Sequence, residues 1–308
     1  MEYERIIQAA AGQPWAIDEA KGKAIAEFLA FKASGGHYTP GEVAARISDK
    51  RAETMRETPG ATAVIPMHGV MFQRAGMIDQ MSGGVSTEQV GAAIDAAAAD
   101  EEVKQIILHI DSPGGAVYGT RELASKVIAA KERKTVIAQV DSVAASAAYW
   151  VASQATEIAV TPGGDVGSIG VIAIHEDISR RLEAEGITET IISAGKYKAE
   201  GNPYEPLDEE ARDHIQSRVD EAYRSFVDAV AEGRGVSVDE VEDKYGQGRM
   251  LSAQAALRAG MVDRIATYDE TVARYVGSRQ SAGRGDKNRY SRRALAARMA
   301  TTKSGAPA

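Results

Sequence analysis

The chain has 308 residues, 44% hydrophobic and 26% charged, with a formal net charge of −8. That balance is ordinary for a globular protein with a full core, and it argues against a surface that binds nucleic acid throughout. The absence of cysteine excludes disulfides, thiolate zinc sites and cysteine nucleophiles together.

No stretch approaches the ~20 apolar residues of a membrane span. The start, Met1-Glu-Tyr-Glu-Arg5, has no basic region followed by an apolar run. The expected setting is cytoplasmic.

Residues 1–60 stand apart as an N-terminal appendage. Trp15, Ile17, Ala20, Ile25, Phe28 and Leu29 give one apolar side, which predicts an amphipathic helix from Trp15 to Phe31. Ser34 to Gly41 is rich in breakers, and the polar stretch Glu42–Glu57 is a second helix candidate that ends at Pro59-Gly60. The appendage either docks on another surface or forms a partly ordered arm.

Residues 61–276 form the main domain. A strand is predicted over Ala61–Pro66, ended by Met67-His68-Gly69-Val70. Ser86 and Gln89 form a capping box for a helix to Ala99. Strand Gln105–Ile110 runs into Asp111-Ser-Pro-Gly-Gly115 and a helix near Tyr118–Lys131. Strand Thr135–Val140 precedes the run Asp141-Ser-Val-Ala-Ala-Ser-Ala-Ala-Tyr-Trp150. Strands are expected at Glu157–Val160, Ser168–Ile174 and Thr188–Ser193, with a helix at Ile178–Glu185 between the last two. A long helix spans Asp208–Ala231, and Val236–Tyr245 and Ser252–Ala259 are shorter helices, the last stopped by Gly260. Strand and helix alternate, and the strands are continuously apolar, so an α/β core with a mostly parallel, two-side-covered sheet is expected.

Residues 277–308 change to Gly, Ser, Ala and basic residues, among them Arg279, Arg284, Arg292, Arg293 and Lys303. Such a tail is expected to be disordered, with binding of an acidic partner as the other reading.

The chemistry centres on Ser146. It falls where a strand turns into an alanine-rich helix, beside amides that could stabilise a developing oxyanion. Read alone, the same serine is a helix N-cap. Asp111-Ser-Pro-Gly-Gly115 is a strand-end turn that can present bare amides, or a plain connection. Asp165-Val-Gly-Ser-Ile-Gly170 carries Ser168, and Ser193-Ala-Gly-Lys-Tyr-Lys198 places two lysines in a flexible loop.

These four pieces, in this order, resemble the signal peptide peptidase A family of serine proteases. The matching residues are Asp111–Gly115, Ala144-Ala-Ser-Ala-Ala-Tyr149, Gly167-Ser-Ile-Gly-Val171 and Ser193–Lys198. The segment Gly248–Ile265 is similar to the family's closing stretch, so the likeness runs from about Ala61 to Ile265. Ala147-Ala148 departs from the two glycines often found there.

The resemblance implies a core of repeated β-β-α units related to Clp protease and the crotonases, with a Ser-Lys dyad and no cofactor. Ser146 is then the nucleophile, Lys198 the general base and Ser168 the residue that orients the lysine. Amides of Gly114 or Gly115 and of Ala147 form the oxyanion hole. A lysine base must be neutral, which requires a pKa lowered from about 10.4 toward ~7–8. Lys196 competes with Lys198 for this role. Because Clp protease uses histidine, His175 is weighed as a base as well, with helix-start duty as its other reading; His109 falls in a buried strand and His68 in a turn.

Without an anchor segment, and with an appendage and a basic tail, the chain looks like the head-maturation proteases of tailed phages. That implies polypeptide substrates such as scaffold, capsid or portal proteins, in the host cytoplasm or the immature head. It also implies a cyclic homo-oligomer in which neighbouring subunits share the dyad. A soluble bacterial peptidase that degrades signal peptides or small proteins is the alternative. A crotonase-type acyl-CoA hydratase or isomerase is the alternative of another class, and it would need a catalytic carboxylate in place of Ser146 and Lys198.

Overall fold

The computed structural model describes residues 15–17, 57–58, 61–74 and 84–276. The continuous apolar runs become the strands of a mostly parallel sheet. In chain order these are β3 (Thr62–His68), β6 (Gln105–Ser112), β8 (Thr135–Ala145) and β9 (Glu157–Val160). β6 lies between β3 and β8, parallel to both, and β9 is parallel to β8. Past β9, β10 (Asp165–Gly167) pairs in parallel with the last residues of β8. Short antiparallel strands close two edges: β2 (Glu57–Thr58) on β3 and β11 (Met250–Ser252) on β10. β12 (Arg264–Ile265) extends β9.

A second, four-stranded sheet has the order β1 (Trp15–Ile17), β7 (Gly114–Ala116), β4 (Met71–Phe72), β5 (Val85–Ser86). Two of its strands directly follow long ones: β4 follows β3, and β7 follows β6. A helix comes after the second pair directly and after the first once β5 has been added, which is the β-β-α repeat. The first is α1 (Thr87–Ala99), where Ser86 Oγ accepts the Gln89 amide at 3.3 Å, and the second is α2 (Thr120–Lys131). The Ser86 half of the predicted capping box is therefore present.

Both faces of the main sheet are covered, which explains why its strands read as unbroken apolar runs. One face carries the large core, including Ile94, Leu108, Leu123, Val127 and Trp150. On the other, Val64, Ile107 and Ile137 pack beneath Tyr268, Val272 and Tyr275 of the final described helix, α8 (Tyr268–Val276). The remaining helices are α3 (Ala147–Ala152), α4 (Ser179–Ala184), α5 (Glu209–Arg234), α6 (Val238–Lys244) and α7 (Ala253–Ala259). None of the described helices is long and apolar enough to cross a membrane.

Several expectations are corrected. Trp15–Ile17 is not the start of a helix but a strand antiparallel to β7; residues 18–31 of the expected helix lie outside the described residues. Pairing to an available sheet edge outweighs local helical spacing there. His68 closes β3 rather than sitting in a turn, and the turn falls at Gly69, with φ 85°. The expected strand at Ser168–Ile174 is not formed beyond an isolated bridge at Ile172; the strand lies just before it, at Asp165–Gly167, and ends where Ser168 takes φ 53°. Thr188–Ser193 forms no strand and is exposed, with Ile192 94% accessible. The tail from 277 lies outside the described residues.

Gly115 shows how tightly the second sheet is drawn together. A Cβ there would lie 2.0 Å from the Met71 carbonyl oxygen. Backbone cannot retreat as a flexible side chain can, so Gly115→Ala should cost about 3 kcal/mol or more. A drop in the urea midpoint without a change in slope would register it.

Candidate active site

The run that carries Ser146 is made of small residues, and the backbone uses that freedom. β8 continues through Ala144-Ala145, and α3 begins at Ala147. Ser146 joins them with φ 53° and ψ −118°, a conformation that costs a non-glycine residue about 1–3 kcal/mol. Its side chain makes no capping hydrogen bond, so the N-cap reading is not what the structure has. The hydroxyl instead donates to the Gly170 carbonyl at 3.3 Å, and the residue is fully buried. The backbone is pinned on both sides: Ser146 N–H donates to the Gly167 carbonyl at 2.8 Å, and Trp150 N–H to the Ser146 carbonyl at 2.9 Å.

α3 is anchored by its large side chains. Trp150 stacks on Phe226 of α5 with centroids 4.7 Å apart and planes 8° off parallel. Tyr149 donates its hydroxyl to the Met261 carbonyl at 2.9 Å, and burial pushes its phenol pKa up, so it remains a donor. A site held to sub-ångström tolerance needs such support behind it.

Ser168 and Ser146 each follow the last register pair of β8 and β10. β8 and β10 pair Ala145 with Gly167, and each strand then continues into a serine with φ 53°. Ser168 N–H donates to the Arg249 carbonyl at 3.0 Å, and a Cβ on Gly167 would lie 2.5 Å from that same oxygen. The two serines are therefore brought side by side from positions 22 apart by one parallel pairing.

Asp111–Gly115 is not the bare turn that was expected. Asp111 and Ser112 finish β6, and Gly114-Gly115 open β7 between β4 and β1. Ser112, fully buried, donates to the Gly69 carbonyl at 2.6 Å and accepts the Gly114 amide at 3.2 Å. Sequence reasoning missed Ser112; a hydroxyl two residues before a glycine with φ 94° was the available signal. Ser112 pairs in register with Ala144 at the end of β6, and β7, which opens at Gly114, packs against α3. The Ala147 amide lies in the first turn of α3, where amides lack an intrahelical acceptor.

The lysines separate. Lys196 Nζ donates to the Tyr197 hydroxyl at 2.8 Å and lies 2.9 and 3.2 Å from the Glu210 carboxylate oxygens. The Tyr197 hydroxyl and then the Glu210 carboxylate raise the Lys196 pKa, holding it charged, the wrong state for a base. Lys198 is exposed, and its backbone N–H closes a turn to the Gly195 carbonyl at 3.1 Å.

Histidines are placed elsewhere. His175 Nε2 sits 3.0 Å from the Asn202 carbonyl, bracing the lysine loop rather than starting a helix, since α4 begins at Ser179. His109 packs against His68 and Tyr268, with centroids 4.7 and 4.3 Å away. Among the described residues, no imidazole or amine is within hydrogen-bond reach of the Ser146 hydroxyl.

Comparison with known proteins bears on this geometry. The model of peptidase family S49 matches residues 128–280, a span that contains Ser146, Ser168 and Lys198. The head-tail preconnector protein GP5 of Enterobacteria phage P21 is 31% identical over 224 residues, covering 73% of this chain and 44% of that protein. The capsid assembly protease C of Escherichia phage lambda is 32% identical over 210 residues, covering 68% and 47% respectively. The chain thus spans about half the length of these phage relatives. A Synechocystis sp. protein named as a protease is 31% identical over 193 residues, covering 62% of this chain and 69% of its own length. With a strained serine at a strand-to-helix junction inside the matched span, the chain belongs to peptidase family S49.

Proposed function

We propose that the chain is a serine endopeptidase that uses a Ser146-Lys198 dyad. The Ser146 hydroxyl attacks the scissile carbonyl and gives its proton to the Lys198 amine, which then protonates the departing amine. Water hydrolyses the acyl-enzyme by the same route. Ser168 orients the amine, and amides of Gly114 or Gly115 and Ala147 receive the oxyanion. The observation that carries this reading is Ser146 itself: buried, strained and not used as a cap. Family membership and the relatives' names support it.

A lysine becomes a base only where burial removes its charge, and Lys198 lies exposed in the single chain. A neighbouring subunit can supply the cover. Ile172, Ile174, Ile187, Ile191, Ile192 and Tyr197 are all exposed, in the segment that leads to Lys198. Their apolar runs read as buried strands in the sequence, which fits a surface that is covered only in an assembly. The reading is a cyclic homo-oligomer held by heterologous contacts, in which Lys198 serves the neighbour's Ser146.

The lambda relative is named a capsid assembly protease. On that basis the substrates are scaffold, capsid or portal proteins of a phage head, and the protease acts in the host cytoplasm or inside the immature shell. A fluorophosphonate probe tests the chemistry. It should label Ser146, located by peptide mass, and label nothing in Ser146→Ala. A folded, assembled protein that takes no label overturns the assignment.

A further inference from the structure

β7 has β4 on one side and β1 on the other, so without β1 it would be the edge of its sheet. That edge carries Gly114 and Gly115, and β7 lies against α3, the helix that begins right after Ser146. An exposed strand edge beside a nucleophile is where an extended peptide can be held by main-chain hydrogen bonds. In this chain the place is taken. Trp15, Ala16 and Ile17 run antiparallel along it, opposite Ala116, Gly115 and Gly114.

From this we infer that Trp15–Ile17 is an internal competitor for the peptide-docking edge, a strap that a polypeptide substrate must displace. The inference rests on the reading of Ser146 as nucleophile. The pairing is three residues long, and Ile17, directly opposite Gly114, is buried at 5% exposure. A three-residue strand with a buried aliphatic side chain is held firmly enough to compete, and its shortness lets it leave. Ile17 also shows what the edge accepts opposite Gly114: an aliphatic side chain of β-branched shape. Extended segments with such a residue at that position are the class of peptide that should exchange with the strap.

Two experiments on the full chain test this. The chain has two tryptophans, Trp15 on the strap and Trp150 in the core. In the inactive Ser146→Ala protein, the peptide Gln-Pro-Tyr-Ala-Ile-Asp, the chain's own residues 13–18 with tyrosine for tryptophan, should release Trp15 from the sheet and so shift its emission saturably. The same peptide with aspartate for isoleucine should not. In the active protein, Ala16→Pro and Ile17→Asp should each raise kcat/KM on a short chromogenic peptide about tenfold, the worth of one to two net hydrogen bonds, through KM rather than kcat. Emission that ignores the peptide, together with an unchanged KM in both variants, overturns the strap. If no variant hydrolyses anything but the emission shift persists, the strap stands and the nucleophile assignment fails.

Discussion

Ser146→Ala should abolish peptide hydrolysis, lowering kcat by about 10⁴-fold or more, while the protein stays folded and assembled. Loss of a nucleophile removes the covalent route altogether, and what survives is the smaller contribution of the oxyanion amides and binding. The structural loss is slight. One 3.3 Å hydrogen bond to the Gly170 carbonyl disappears, worth about 1 kcal/mol, and the Cβ remains where it was. Ser146→Gly makes a sharper comparison. It is equally dead, but it releases the backbone strain at φ 53°, so it should be about 1 kcal/mol more stable than Ser146→Ala. Burst titration and urea unfolding on the three proteins read both quantities. An alanine variant that keeps a tenth of wild-type kcat, or a glycine variant less stable than the alanine one, would mean that the strained serine serves the fold and not the chemistry.

Lys198→Ala should be as inactive as the serine variant, whereas Lys196→Ala should keep most of its activity. Lys196 is engaged with Tyr197 and Glu210, and its removal costs an exposed ion pair of little worth. If the dyad is shared between subunits, equal amounts of Ser146→Ala and Lys198→Ala chains, each inactive alone, should regain activity when co-assembled. Random mixing around a ring makes about one site in four competent. A dyad held within one chain recovers nothing. The rate should also climb with pH and stay high above pH 8, as a lysine base requires, while a histidine base levels off near pH 7. Death of Lys196→Ala with survival of Lys198→Ala would move the base by two residues and make the Glu210 contact a resting state.

Local chemistry was enough to identify the long strands of the main sheet, most helix ends and the order of the site pieces. Apolar runs such as Gln105–Ile110 can satisfy themselves only inside a sheet covered on both faces, and they sit there. Ser86, Asp208 and Ser237 cap helices with their own side chains, and Gly235 and Gly260 end them in left-handed conformations. These signals depend on residues within a turn or two of each other, so they are legible in one dimension. The small residues around Ser146 likewise announced a backbone under unusual demand.

Everything that depends on long-range pairing was decided in three dimensions. Trp15–Ile17 has helical spacing, yet a free edge on β7, about a hundred residues away in the chain, outweighs that preference. Gly114-Gly115 looked like an open turn because nothing nearby in sequence says that Met71 will press against Gly115. Ser146 and Ser168 both take φ 53°, each one residue past the parallel pair Ala145 and Gly167 that ends their two strands. The runs at 169–174 and 187–192 are apolar enough to be strands, but a strand needs a continuous partner edge, and among the described residues the first forms only an isolated bridge at Ile172 and the second no strand. Propensity is a property of a segment; pairing is a property of two, and the second segment is what the fold supplies.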